Sequence, residues 1–299
     1  MNNEYHKFVA DEQELEWFFN HAIVKPELDE SYLMCLSARN KKLDEEERKL
    51  YNLGRGEMMR EEIIAPRSKS KLLNFNIFKS SIYRYECRKE GMVTKNGLPY
   101  PDKCLVIYFY PNPSKESLVI TDSVKLAMTI MSEMINASAN KSWNGVEDGL
   151  DKLGTVSKHI KSSHSTNLSR KLYVQFDFDI IRDIDFELRR KEAYDMIHIE
   201  AINHFGKGNF FIIETAGGFH VLVKKESYGK SMEIANKKKK ENGLNYMPDF
   251  LSDVVDNYSY TFEEAVKCNQ EFIPLPGTYQ YSSFIVRVLN KEDFNEQTK

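Results

Sequence analysis

The sequence contains no long apolar run. None of its 299 residues belongs to an uninterrupted apolar stretch of transmembrane length, since a helix that spans a bilayer needs about 20 such residues. The first residues, MNNEYHKFVADEQELEWFF, are polar and acidic, so they lack the basic and apolar regions of a secretory signal. We therefore expect an intracellular, cytoplasmic protein that has no membrane partner.

Cysteine is scarce and widely spaced. The four cysteines are Cys35, Cys87, Cys104 and Cys268. No two of them have the spacing of a zinc finger, so we expect no structural zinc site. Buried, reduced thiols are the simpler expectation.

Two further features are missing. The run G-x-x-x-x-G-K-[ST] is absent, so the sequence lacks the phosphate-binding loop of helicases and other P-loop enzymes. A basic excess is also absent, since the net charge is −3. Nucleic-acid binders are often basic, but an acidic metal cluster would itself lower the total.

The composition is that of a folded protein. Hydrophobic residues make up 41% and charged residues 29%, a balance that allows both a sizeable core and a solvated surface. Residues 1–135 predict an N-terminal α/β module. Residues 136–170, rich in Ser, Asn, Lys and Gly, predict a flexible, loop-dominated connector with a little helix. Residues 171–299 predict a second module.

The second module has the element order β-α-β-β, then a helix, then β-β. This order suits a mostly antiparallel sheet with helices on one face, an α+β arrangement like that of RNA-recognition-type sheets. The elements are predicted at residues 171–180, 186–205, 209–214, 219–224, 231–241, 272–275 and 284–289.

The first motif of this module is an Asp-x-Asp pair on its first strand. Side chains alternate along a strand, so Asp177 and Asp179 point to the same side. A divalent cation would remove their mutual repulsion and use the carboxylate oxygens as ligands. The alternative is a solvated acidic strand edge, but the apolar neighbours Phe176, Phe178 and Ile180 argue against a wholly exposed strand.

The second motif is Thr215-Ala216-Gly217-Gly218-Phe219-His220. The two glycines predict a tight turn that lets a ligand approach the backbone. The histidine that follows could hold a phosphate oxygen of a metal-bound nucleotide. Its alternative role is that of a structural hydrogen-bonding group.

The third motif runs from Glu271 through Pro274-Leu275-Pro276-Gly277-Thr278 to Arg287. Its turn could expose backbone N–H groups to an anion, and Arg287 offers a planar guanidinium for phosphate. Taken alone, such a run is also typical of ordinary loops. Lys224, at the end of the histidine strand, could contact a triphosphate or a template.

Basic residues outside these motifs are less specific. Arg39, Arg55 and Arg60 could contact a template backbone, although arginines are common on protein surfaces. The lysine run 237–240 is typical of a solvated helix face.

Together the three motifs resemble the archaeo-eukaryotic primase superfamily, which includes primase-polymerases of viruses and mobile elements. The resemblance covers about Leu172 to Leu289 by motif, and the N-terminal half by general layout alone. It implies an RNA-recognition-like antiparallel sheet module packed on an N-terminal α/β module, with the active site between them.

The resemblance also implies roles for individual residues. Asp177 and Asp179 match the first two metal-binding acids, which would hold Mg²⁺ or Mn²⁺. His220 matches the histidine that binds nucleotide phosphates, and the neighbouring nucleotide-binding candidates are Gly217, Gly218, Lys224 and Arg287. The implied partners are a single-stranded nucleic-acid template, nucleoside triphosphates and a separate helicase.

The third acid of the family has no clear match. Glu271 is the best positional candidate, and Asp249 or Asp253 are alternatives. With a third carboxylate in place, the expected activity is nucleotidyl transfer to a primer or initiating strand by two-metal chemistry. Without one, the chain would be a catalytically impaired nucleic-acid-binding replication accessory protein. A metal-dependent nuclease that uses the same carboxylates is the remaining alternative.

Overall fold

The computed structural model of the chain describes most of the sequence. The described residues are 8–27, 29–53, 56–64, 73–86, 93–154, 169–182, 185–243, 249–258, 262, 267–268 and 272–298. Within them the fold is α+β, with eight helices and two antiparallel sheets, which confirms the predicted fold class. Among these same residues, no helix combines the length and the apolar character that crossing a bilayer requires.

The first sheet is built mainly from the N-terminal half. Its strand order is β10-β9-β3-β1-β2, and β8 also pairs with β3. The strands are β1 (Glu30–Arg39), β2 (Gly56–Ile64), β3 (Leu105–Lys115), β8 (Ile273–Pro274), β9 (Tyr279–Gln280) and β10 (Phe284–Ile285). Strand β1 is buried along almost its whole length, as expected for a central strand that is covered on both faces.

Three helices accompany this sheet: α1 (Glu12–Ala22), α2 (Glu45–Tyr51) and α3 (Phe75–Glu86). Asp11 is the N-cap of helix α1, and its side chain accepts a hydrogen bond from the backbone N–H of Glu14 at 3.0 Å. Helix α2 begins with a reciprocal capping box between Asp44 and Glu47. Such caps satisfy backbone N–H groups that lack partners inside the helix.

The second sheet comes from the C-terminal half and has the order β11-β5-β6-β4-β7. Its strands are β4 (Tyr173–Asp179), β5 (Phe210–Glu214), β6 (Gly218–Lys224), β7 (Lys267–Cys268) and β11 (Arg287–Val288). Three helices belong to the same half: α6 (Phe186–Phe205), α7 (Lys225–Asn242) and α8 (Phe250–Tyr258).

The two faces of the second sheet have different neighbours. Phe176, Phe178 and Val221 belong to a core shared with helices α6 and α8. Side chains of the opposite face, such as Phe211 and Leu222, belong to a second core that also contains apolar residues of the first sheet. The two sheets therefore face each other, and the alternation along β4 turns its acidic residues towards the space between them.

The predicted connector is largely helical where the structure describes it. Helix α4 (Glu116–Ala139) continues into residues 136–139, and helix α5 (Trp143–Gly154) follows at once. The loop-dominated interpretation was therefore wrong for residues 136–154, and residues 155–168 lie outside the described part of the chain. Glycine, which usually weakens helices, here permits close packing, since a Cβ on Gly149 would lie 2.1 Å from Met134 Cγ of α4.

One finding crosses the predicted boundary between the modules. The short strands β8, β9 and β10 follow residue 171 in sequence but belong to the first sheet, where β8 and β9 pair with β3 and β10 pairs with β9. The C-terminal residues thus complete the N-terminal sheet. The division at residue 171 stays a prediction about folding units.

Candidate active site between the two sheets

Strand β4 carries the acidic pair. Asp177 lies opposite His220 of β6, and Asp179 lies opposite Gly218. Their side chains are 19% and 29% exposed, whereas the neighbouring Phe178 is fully buried on the other face. The two carboxylates are therefore accessible from the space between the sheets, on the same side of one strand.

His220 is buried beside this pair and is held by Gln175. The Gln175 Nε2 lies 2.9 Å from His220 Nδ1 and donates to the carbonyl oxygen of Phe272 at 3.1 Å. Because that carbonyl requires a donor, the amide nitrogen faces the imidazole, and Nδ1 must accept. The neutral ring then carries its hydrogen on Nε2.

That Nε2–H is directed towards the acidic pair. The His220 Nε2 atom lies 3.4 Å from Asp177 Oδ1. This distance is longer than that of a strong hydrogen bond to a carboxylate. Burial lowers the pKa of His220, although the negative charges of Asp177 and Asp179 act in the opposite direction. His220 is therefore a neutral donor at the acidic pair, with capacity to donate to another acceptor.

The side-chain oxygen of Gln175 is a second feature of this part of the site. It is buried and has no hydrogen-bond partner among the described residues. Gln175, Asp177 and Asp179 share one side of β4 because of the two-residue alternation. A buried acceptor without a partner costs free energy, so this side of the strand is favourable for a ligand or water that donates a hydrogen bond.

A cationic cleft opens next to Asp179. Its volume is about 450 Å³, and both sheets contribute to its lining, which consists of Arg39, Asn40, Lys41, Arg48, Asp179, Arg182 and Gly217. Arg39 ends β1, Lys41 follows in a short 3-10 turn (Asn40–Lys42), and Arg48 lies on α2. Four cations thus surround one carboxylate, which makes the cleft attractive to an anion.

Contacts with the protein orient several of these cations. The Lys41 ammonium lies 3.9 Å from Asp179 Oδ1. The Arg39 guanidinium lies 5.2 Å from the centre of the Tyr108 ring, and Arg182 donates from Nη2 to the carbonyl oxygen of Ala216 at 3.1 Å. Burial, with the like charge of Arg182, lowers the pKa of the neighbouring Lys42, which shows how closely positive charge is gathered here.

The glycine turn forms the floor beside Asp179. The Thr215 N–H donates to the Gly218 carbonyl at 2.9 Å, and the Ile180 N–H donates to the Gly217 carbonyl at 3.0 Å. A Cβ on Gly218 would lie 1.8 Å from the carbonyl oxygen of Phe178, so no other residue fits without movement. A Cβ on Gly217 would lie 3.1 Å from Asp179 Oδ1, on the accessible side of the carboxylate.

Two of the predicted nucleotide-binding residues lie elsewhere. Lys224 is six positions from Gly218 along β6, which is about 20 Å, and its Nζ donates to the Gly208 carbonyl at 2.8 Å. Arg287 lies opposite Glu214, which lies opposite Phe219. Residues directly opposite in antiparallel strands share a face, and Phe219 packs in the helix-side core. Arg287 is therefore on the face away from the cleft.

The candidates for the third acid are likewise separated from the pair. Asp249 caps α8, accepting from the Ser252 N–H at 3.0 Å. Asp253 lies on α8 with its Oδ2 2.7 Å from His204 Nε2. Both belong to the helix side of the second sheet and not to the cleft. Glu271 lies outside the described residues, so its role as the third acid stays a prediction.

A separate group of polar side chains lies on that helix side. Glu200 and His204 of α6 and Asp253 of α8 place their ligand atoms within 4.8 Å of one another. The Nδ1 of His204 also lies 3.1 Å from the Ser231 hydroxyl. This group is on the opposite face of the sheet from Asp177 and Asp179.

Sequence reasoning missed Gln175, Lys41, Arg48 and Arg182 as site residues. Gln175 was within reach of a local argument, because it lies two positions before Asp177 and shares its side of the strand. Arg182 follows the acidic pair by three positions. No sequence pattern near Lys41 or Arg48 indicates a site. They reach the cleft because the first sheet and its helices pack against the second sheet.

No protein-family model, curated protein or solved structure matches the chain. What the cleft does chemically therefore rests on its own residues and geometry.

Proposed function

We propose that the chain is a primase-polymerase-like nucleotidyltransferase, and that the cleft between its sheets binds a nucleoside triphosphate together with Mg²⁺ or Mn²⁺. One observation carries the proposal: the accessible carboxylates Asp177 and Asp179 lie at the edge of a cleft that four cationic side chains line. Neither the carboxylate pair alone nor the cationic cleft alone would indicate a nucleotide.

The cations favour a polyphosphate ligand. Arg39 and Arg182 have planar guanidinium groups, which suit paired hydrogen bonds to phosphate oxygens. Lys41 adds a compact point charge to the same cleft. A polyphosphate in the cleft would nevertheless be repelled by the nearby carboxylates, so the arrangement favours an anion that arrives with a shielding cation.

The acidic pair has the donor chemistry for that cation. Carboxylate oxygens are the ligands that Mg²⁺ prefers in proteins, and Asp177 and Asp179 present theirs on one side of one strand. Glu271 would supply a third carboxylate. When bound, the ion stabilises the charge that develops on the transferring phosphoryl group.

His220 would orient the phosphates. Gln175 holds the ring through Nδ1, which leaves the Nε2–H directed into the space beside Asp177. A donor fixed in this way can bind a phosphate oxygen without reorganising when the ligand arrives. Because the ring is buried beside the acidic pair, we propose that it would contact the nucleotide and not the template.

The architecture agrees with the primase-like resemblance. An RNA-recognition-type antiparallel sheet with helices on one face presents its acidic pair towards an N-terminal sheet, and the cleft lies between them. The single-stranded template and a separate helicase remain proposed partners on the same basis. Family likeness alone does not establish chemistry, so the site residues carry the assignment.

Incubation of the chain with a single-stranded template, Mg²⁺ or Mn²⁺ and labelled nucleotides tests the proposal. Metal-dependent incorporation of label that Asp177→Asn with Asp179→Asn abolishes would support it. Degradation of a labelled strand instead would assign a nuclease. Strand binding with neither reaction would assign an accessory protein that has lost catalysis.

A further inference from the structure

The hairpin of α4 and α5 exposes an unusual amount of apolar surface. Eight of the fourteen exposed large apolar side chains in the described residues belong to it. Five form a row on α4, here called the α4 seam: Ile120, Val124, Met128, Met131 and Ile135, exposed by 58%, 50%, 65%, 53% and 67%. Single exposed apolar residues are ordinary, but a continuous row of them marks an interaction site.

The α4 seam has the geometry of a helix-pairing surface. With 3.6 residues per turn, its five side chains fall within an arc of about 80° and extend over about 23 Å. From Val124 the spacing is four, three and four residues, which is the spacing of the a and d positions of a coiled coil. A seam of this kind fits into the holes of another helix.

The hairpin itself cannot cover the seam. Helix α5 packs against a different side of α4, where a Cβ on Gly145 would lie 2.8 Å from Ala137 Cβ. An ion pair between Lys152 and Glu133, at 3.6 Å, also joins the two helices. Because the close contact at Gly145 holds α5 against this other side of α4, α5 does not cover the seam.

The three longest segments outside the described residues are too polar to supply a matching apolar row. The longest is 155–168, whose large aliphatic residues are Val156, Ile160 and Leu168 among serines, lysines and histidines. Residues 1–7 and 65–72 are similarly polar. The occupant must therefore bring an apolar row of its own.

We propose that the α4 seam pairs with the α4 seam of a second copy of this chain, so that two hairpins form a homodimer. The seam itself carries no charge. Of the residues that flank it at the e and g positions, Ala127, Ser132 and Met134 are neutral and Lys125 is charged. A twofold axis places the same patch on both subunits, so the patch must be self-complementary. An uncharged row of interlocking side chains meets that requirement without repulsion.

The exposed area of the seam is on the scale that a dimer needs. Fully burying an aliphatic side chain removes roughly 60–120 Å² of apolar surface, so the five seam side chains, each exposed by half to two thirds, offer roughly 180–350 Å². A standard interface buries about 800 Å² per partner, of which roughly 450 Å² is apolar. The seam therefore supplies about half of the apolar area of one standard interface.

Sedimentation velocity of the full chain, from about 1 to 100 μM, tests this proposal. We expect a dimer for the wild-type chain. Met128→Glu with Met131→Glu places four charges in the paired seams, and desolvating them should weaken the dimer by at least about a hundredfold. The matched control is Ile199→Glu with Ile234→Glu, since these residues are 56% and 57% exposed on other helices, and it should leave the dimer unchanged.

Three results would overturn the proposal: a wild-type chain that stays monomeric at 100 μM, a dimer that survives the Met128 and Met131 substitutions, or equal dissociation by the control substitutions. Thermal unfolding of each variant monitors the fold, which exposed substitutions should leave intact. The monomeric seam variant should still bind a nucleoside triphosphate, so loss of the dimer is distinguishable from failure of the cleft.

Discussion

Charged side chains of one type have different environments in this protein. Arg182 lines the cleft beside Asp179, whereas Arg287 lies on the opposite face of the second sheet. We expect Arg182→Ala to weaken triphosphate binding about tenfold to a hundredfold, the usual loss for a hydrogen bond to a charged group. Arg287→Ala is the matched control and should change the affinity less than about twofold. If titration calorimetry shows that the two substitutions weaken triphosphate binding equally, the cleft is not the phosphate site.

His220 allows a second prediction about single residues. His220→Ala should weaken the binding of a triphosphate about tenfold to a hundredfold and that of a monophosphate of the same base much less, because in the proposed complex the lost donor would bind the phosphates. It should also lower thermal stability, since the ring is buried against Gln175. The ratio of the two nucleotide affinities, measured on the same variant, separates the two effects. An unchanged ratio would make His220 a purely structural residue.

Local periodicity could predict part of the candidate site. Alternation along one strand was sufficient to place Asp177 and Asp179 on the same side, because it depends on β4 alone. Lys41 and Arg48 could not be predicted, since their approach to Asp179 depends on how the two sheets pack. Lys224 and Arg287 show the converse: they are close to the motifs in sequence, but strand length and sheet face separate them from the cleft.

Among the elements, the glycine turn before β6 is the most constrained. Gly218→Ala would set a Cβ 1.8 Å from the Phe178 carbonyl oxygen, so strands β4 and β6 would have to separate. We expect a loss of about 1–3 kcal/mol in the free energy of unfolding, typical of overpacking. Gly229→Ala in α7 is the control: its Cβ would contact nothing within 4 Å, and it should stabilise by about 0.4–1 kcal/mol. Denaturant unfolding measures both, and equal effects would contradict the close approach at Gly218.

Element prediction succeeded for the longest helix of the second module. The helix expected at residues 186–205 has those bounds in the structure. Helix α3 has a weaker pattern, since its buried apolar side chains are Phe78 and Ile82, four residues apart. Strands such as β8 and β9 span two residues each, which is too short for any periodicity. Their positions depend on pairing with β3 and not on their own sequence.

At the scale of the whole molecule, the two halves depend on each other. The core between the sheets contains Phe211, Leu222 and Ile273 together with apolar residues of the N-terminal half. A fragment of residues 1–170 would lose these side chains and strands β8, β9 and β10. We expect this fragment to show no cooperative thermal transition by circular dichroism, in contrast to the full chain. A sharp transition would instead establish residues 1–170 as an independent domain.

We propose that Asp177, Asp179 and the cationic cleft form one site for a metal–triphosphate pair. The direct measurement is calorimetric titration of a nucleoside triphosphate with and without Mn²⁺, on the wild-type chain and on Asp177→Asn with Asp179→Asn. Asp253→Asn, on the helix side, is the control.

Because an ion held by Asp177 and Asp179 would shield the phosphates from these carboxylates, Mn²⁺ should tighten triphosphate binding at least about tenfold in the wild-type chain and in the control. In the double variant it should have no effect. The single metal–triphosphate site would be contradicted if Mn²⁺ changed triphosphate affinity equally in all three proteins. It would also be contradicted if the wild-type chain bound no triphosphate with Mn²⁺ present.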